Sequence, residues 1–131
     1  MREAARAFLW AGLYDRVRPY PKNMARLGPL GPPSSDGEHA PGVPPSRPLR
    51  EVMQAYRAVR RRWPWHLSCR AEALAAHRML SRRGLPTVTA IGVAVDDDGV
   101  TTSHAWLSCE GHVVTGRGAQ GHQVIGERRS G

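Results

Sequence analysis

Long apolar runs are missing from this sequence. The longest uncharged stretch, Gly84 to Val95, carries Gly, Pro and Thr and falls short of the roughly 18 apolar residues a membrane span needs, which excludes a transmembrane helix. Lysine is nearly absent: of the 19 Lys+Arg only Lys22 is lysine, so the net charge of +8 is almost wholly arginine. That balance names no partner, since a positive field concentrates any anionic ligand, whether nucleic acid, membrane surface or acidic peptide. Cysteine is scarce too. Cys69 and Cys109 could pair, but in a reducing compartment a single Cys near candidate histidines is more often catalytic or structural. The apolar patch Phe8 to Tyr14 is flanked by charge and followed by no small-residue cleavage site, so the expectation is a cytoplasmic chain without a secretory signal.

Glycine and proline are plentiful, 14 and 11 in 131 residues, and they are concentrated: Gly28 to Pro48 holds seven of the prolines and four of the glycines. Such a stretch can build neither a helix interior nor a central strand and reads as a linker. The organisation expected is an N-terminal helical segment over 1–27, a Pro/Gly-rich linker over 28–48 and a main domain over 49–131. Before the linker, Ala5, Leu9, Leu13 and Val17 recur every four residues with Phe8 and Trp10 beside them, predicting a helix over 2–17. After it, Leu49, Val52, Met53, Tyr56, Val59 and Trp63 form an amphipathic stripe backed by arginines at 50, 57, 60, 61 and 62, and Pro64 ends that second helix. A third helix starts at Ser68, whose hydroxyl can cap it. It stops near Gly84, where Arg82 and Arg83 suit the negative end of the dipole, Gly84 suits a left-handed cap and Pro86 follows. Thr87 to Val95 is β-branched and uncharged and reads as a buried strand, Asp96-Asp97-Asp98-Gly99 as a hairpin turn and Val100 to Cys109 as the return strand. Glu110-Gly111 turns into a short strand over His112 to Thr115. The last residues are polar, with Val124-Ile125 as a further edge strand at most. Helices followed by an antiparallel sheet make an α+β fold.

The chemistry gathers at Cys69 and His104. A cysteine in the first turn of a helix faces unpaired N–H groups and the positive dipole end, which stabilise a thiolate nucleophile; against this stands the ordinary reading of a small buried hydrophobe. His104, on the strand, is placed to be the base that takes the thiol proton. A nucleophile at a helix start with a base on the following antiparallel sheet is the arrangement of papain-like and transglutaminase-like enzymes. The Cys69 N–H is a candidate oxyanion donor, and Trp65 and His66 are candidate side-chain support. Trp106 is a candidate wall of the cleft. Cys109 alternates to the opposite strand face from His104 and reads as inert. Zinc on Cys109, His112 and His122 lacks paired ligand spacing, and the three aspartates lack the terminal Glu of a calcium loop; no metal and no cofactor are expected.

The run WPWHLSCRAEALAAHRMLSRRGLPTVTAIGV, followed by SHAWLSCEGHVVTG, resembles the leader peptidase (B protein) of lasso-peptide biosynthesis, a transglutaminase-like cysteine peptidase family. The likeness lies in a Cys opening an Ala/Leu-rich helix, an Arg-Arg-Gly-x-Pro stop, an Ile-Gly-Val strand, His-Ala-Trp, and a Glu-Gly turn before Val-Val, over about residues 49 to 116. It implies a transglutaminase-like core, a Cys-His-Asp triad with Cys69 as nucleophile and His104 as base, and removal of the leader from a ribosomally made precursor before a separate lasso cyclase closes the macrolactam. The implied partners are the leader region of the precursor, a small leader-recognition protein and that cyclase. One departure stands out: where the family places its acid, just past Val-Val, this chain has Thr115-Gly116, and nothing from Gly111 to Gly126 is acidic. The orienter of His104 is then Gln120, Gln123, a backbone carbonyl, or absent. Loss of that carboxylate takes about 10⁴ from a serine peptidase, whereas a Cys-His ion pair depends on it less. Two rival readings are an inactive transglutaminase-like subunit that binds and presents the precursor, and a basic nucleic-acid-binding protein suggested by +8 and by Arg57 to Trp65. The second lacks any recognition-helix or RNA-binding signature.

Overall fold

The computed structural model describes residues 2–17, 28, 30–31, 43–64, 67–116 and 123–130, the side chains of 14–17, 30 and 31 aside. Among these are three helices, α1 (Arg2–Val17), α2 (Arg47–Arg62) and α3 (Cys69–Ser81), and five strands, β1 (Leu30–Gly31), β2 (Thr87–Val95), β3 (Thr101–Cys109), β4 (His112–Thr115) and β5 (Gln123–Ser130). The strands form one sheet in the order β1-β5-β2-β3-β4, every neighbouring pair antiparallel. The helices and the sheet share one core, an α+β arrangement.

Local chemistry sets the helix ends. Ser46 caps α2 by accepting the N–H of Leu49, and Glu110 holds the cap from the far end of the sheet, accepting the Ser46 N–H at 3.1 Å and its hydroxyl at 2.5 Å. Ser68 caps α3 by accepting the N–H of Ala71 at 3.1 Å. At the other end of α3, the Leu85 N–H reaches the Leu80 carbonyl and the Gly84 N–H that of Ser81, with Gly84 at φ +69°; this is the Schellman termination expected from Gly84 and Pro86. The Asp96 side chain accepts the N–H groups of Asp98 and Val100, closing the β2–β3 hairpin. Glu110 and Gly111, both at positive φ, turn β3 into β4 in the manner of a type I′ hairpin.

Helix α3 is the centre of the core. Its alanines at 71, 73, 75 and 76, with Leu74, Met79 and Leu80, are buried almost all round, because small side chains let α1 on one side and the sheet on the other approach closely. The stripe expected on α1 is corrected here: it buries Ala4, Ala7, Phe8 and Ala11, spaced i, i+3, i+4 and i+7, and leaves Leu9 and Leu13 half-exposed. Close packing on an alanine-rich neighbour selected the small face of α1 over the larger leucines. Phe8 then sits edge-on against Tyr56 and Trp63, with ring centroids 5.5 Å apart in each case, which joins α1 to α2.

The end of the chain also differs from expectation. β5 runs eight residues and lies between β1 and β2, not at the edge. Its buried residues are Gly126 and Glu127, the latter 2% exposed and paired with Arg129 at 2.7 Å.

Candidate active site

Cys69 is the first residue of α3, and the Ser68 hydroxyl that caps the helix fixes where that first turn begins. β3 brings His104 to the same place. The two side chains line one cavity of about 600 Å³, whose other walls are Tyr56, Arg57 and Arg60 of α2, Leu67 and Glu72 around the start of α3, and Val114 and Gly116 from β4 and its exit. Cys69 is half-buried, and both it and Cys109 are free thiols.

The imidazole is oriented by the main chain. His104 Nε2 lies 2.9 Å from the Gly116 carbonyl oxygen. A carbonyl can only accept, so Nε2 is the nitrogen that donates, and Nδ1 carries the lone pair able to take a proton. The Trp106 ring stacks on the imidazole, centroids 6.1 Å apart and planes 27° apart, so that what it gives the site is support for the base. Gly116 itself is at φ +80°, and a Cβ there would meet the Ala105 oxygen at 2.6 Å and the Trp106 Cβ at 2.6 Å. The position has room for a carbonyl facing His104 and none for a carboxylate side chain.

A second polar group fills the α2 side of the cavity. Glu72 is buried one turn along from Cys69. The Tyr56 hydroxyl donates to its Oε2 at 2.9 Å, and Arg60 Nε pairs with its Oε1. Burial, and then the adjacent Glu72 charge, push the Tyr56 hydroxyl well above the ordinary phenol range, so it stays a donor.

Of the side chains singled out in the sequence, Cys69 and His104 are brought together. Gln123 opens β5 opposite Val93, on the far side of β2 from the strand that carries His104. Trp65, His66 and Gln120 lie outside the described residues, as does His122. Cys109 is buried in the core, and burial, then the Glu110 charge, push its thiol up to about 11. The nearby His112 Nε2 lies 2.8 Å from the Val43 carbonyl, tying the segment before α2 to β4. Tyr56 and Glu72 were not anticipated as site residues, and Arg57 and Arg60 were expected only as members of the arginine-rich face of α2, a docking surface for an acidic leader or partner. The one sequence signal for Glu72 is its spacing, i+3 from Cys69 on the same helical face.

The sequence profile of the transglutaminase-like superfamily matches residues 19–126, which takes in Cys69, His104 and the α2 wall of the cavity. The chain belongs to the transglutaminase-like superfamily. Among curated proteins and among solved structures, none matches it. The transglutaminase-like domain accounts for the α+β architecture and gives the cavity the setting of a cysteine-peptidase type of fold. None of the described helices is long and apolar enough to cross a membrane.

Proposed function

We propose that this transglutaminase-like chain is a cysteine peptidase that cuts the leader from a lasso-peptide precursor, with Cys69 as nucleophile and His104 as base. The observation that carries the reading is the shared cavity: a cysteine at a helix start and a histidine with a fixed tautomer open onto the same 600 Å³ space. In the proposed reaction His104 Nδ1 takes the thiol proton and Sγ attacks the scissile carbonyl. The resulting oxyanion is met by the N–H at the start of α3, and the imidazolium returns its proton to the leaving amine. Water, activated by the same imidazole, then releases the leader from the thioester.

The lasso precursor as substrate rests on the likeness of residues 49 to 116 described above. The test is to incubate the protein with a lasso precursor and a leader-recognition protein encoded beside it, following free leader by mass spectrometry. Release is expected from the wild type and from neither Cys69→Ala nor His104→Ala. Undiminished release by Cys69→Ala overturns the mechanism.

A second reading, a precursor-binding subunit that does not cut, is favoured by the carbonyl of Gly116 standing where a carboxylate would hold the base. It requires affinity for the precursor without cleavage, and alkylation of Cys69 no faster than that of an ordinary thiol at neutral pH. Rapid selective alkylation counts against it.

A further inference from the structure

Among the described residues that line the cavity, the charges do not cancel. Two arginines, Arg57 and Arg60, face one carboxylate, Glu72. That carboxylate is engaged on both oxygens: Oε2 accepts the Tyr56 hydroxyl, and Oε1 is ion-paired with Arg60. Arg60 is ion-paired with Glu72 through its Nε on a side chain that is still 50% exposed. Arg57, one turn earlier on α2, is exposed and has no partner among the described residues. A transfer of the thiol proton to the imidazole adds no net charge, so the described lining keeps one excess cation in either state of the pair. A guanidinium fixed by a buried carboxylate is pre-organised, and its planar fork matches a second carboxylate.

We propose that Arg57 and Arg60 form an anion-recognising subsite beside Cys69 that takes an acidic side chain of the peptide near the bond to be cut. The identity of that ligand as a peptide rests on the peptidase reading above; the subsite itself does not. Glu72 and Tyr56 act through Arg60 as positioning residues.

The test uses two reagents of nearly equal size that differ in charge, iodoacetate and iodoacetamide. In each, the Cys69 sulfur displaces iodide from carbon, and the rates are read by mass mapping of the Cys69 peptide. Each rate is divided by that of N-acetylcysteine amide under the same conditions. The expected result is a normalised iodoacetate-to-iodoacetamide ratio about threefold or more above one, falling about threefold in Arg57→Gln and compressed by 0.5 M NaCl, as for a partly screened charge contact. Arg60→Gln should lower it further; Arg57→Gln, a change at an exposed side chain with no partner among the described residues, keeps the test independent of folding. A ratio near one, a ratio untouched by Arg57→Gln, or no reaction at Cys69 overturns the subsite. A high ratio that falls in Arg57→Gln, from a protein that releases no leader, supports the subsite and overturns the peptidase reading.

Discussion

His104 is bonded through Nε2 to the main-chain oxygen of Gly116 at 2.9 Å, so the base of the candidate site is oriented by backbone. A carbonyl dipole fixes the tautomer as a carboxylate does, but it carries no full charge and stabilises an imidazolium less. The arrangement suits a thiol nucleophile, which needs less help from its base than a hydroxyl does.

Gly116 should therefore be among the least replaceable residues of the chain. Gly116→Ala introduces the left-handed strain of a Cβ, about 1 to 2 kcal/mol, and a backbone collision at 2.6 Å whose relief costs about 1 to 3 kcal/mol more. The contrast is Gly84→Ala: also at positive φ, but with nothing within 4 Å of the added Cβ, it should lose only the strain term of about 1 to 2 kcal/mol. Urea unfolding of the two variants checks the difference. Gly116→Asp should not restore a triad, and a Gly116→Asp protein that is both stable and faster in leader release would refute the steric argument.

The two thiols should separate cleanly by reactivity. Iodoacetamide at pH 7.5 is expected to modify Cys69 and spare Cys109, whose folded value near 11 leaves almost no thiolate at that pH. The same shift has a sign for stability. The folded value stands above the ordinary thiol range near 8.5, so the contribution is fully present below about pH 8.5 and is lost as pH rises toward 11. Denaturant midpoints measured from pH 7 to 11 should fall across that window, and Cys109→Ala should flatten the fall.

Where the sequence was legible, the signal was local. Ser68, Gly84 and Pro86 mark α3 through chemistry that acts within a turn, and the Asp-rich hairpin needs only its own residues. β5 was legible only at Val124-Ile125, because the rest of Gln123 to Ser130 is polar; its register on β2 extends the strand, and Arg129 makes the buried Glu127 tolerable. On α1 the leucines and alanines each form a helical stripe, and the packing density of α3 decided between them. The site divides in the same way. Cys69 and His104 stand out by position within their elements, and Gly116 stood out as a missing acid. Arg57 and Arg60 look like any other arginines of α2, and only the packing of α2 beside α3 shows that these two line the cavity and that Arg60 meets Glu72.

Phe8 tests whether α1 belongs energetically to the same folding unit as α2, α3 and the sheet. The ring is fully buried and contacts Tyr56 and Trp63 edge-on, so Phe8→Ala should destabilise the whole fold by about 3 to 5 kcal/mol. A single unfolding transition, shifted as one, is the expected outcome by circular dichroism. Two transitions, with the sheet unaffected, would show that α1 is an appendage.

Glu3 and Arg83 join the start of α1 to the end of α3 through two contacts, at 2.7 and 2.9 Å. Arg83 also donates to the Met79 carbonyl at 2.8 Å, which fixes the guanidinium for a bidentate grip. Its hydrogen bonds, outweighing the opposing effect of burial, hold the Glu3 carboxyl below its ordinary range. Because the folded value is depressed, the pair's contribution is present above the unfolded carboxylate range near 4.3 and is lost as pH falls through the folded value. Both side chains are about one-third exposed, so solvent screening limits the effect to roughly 0.5 to 1 kcal/mol. Glu3→Gln should lower stability by that amount at pH 7 and leave it nearly unchanged at pH 3, and 1 M NaCl should shrink the difference at pH 7. An equal loss at both pH values would mean that Glu3 acts through packing of α1, with its charge irrelevant.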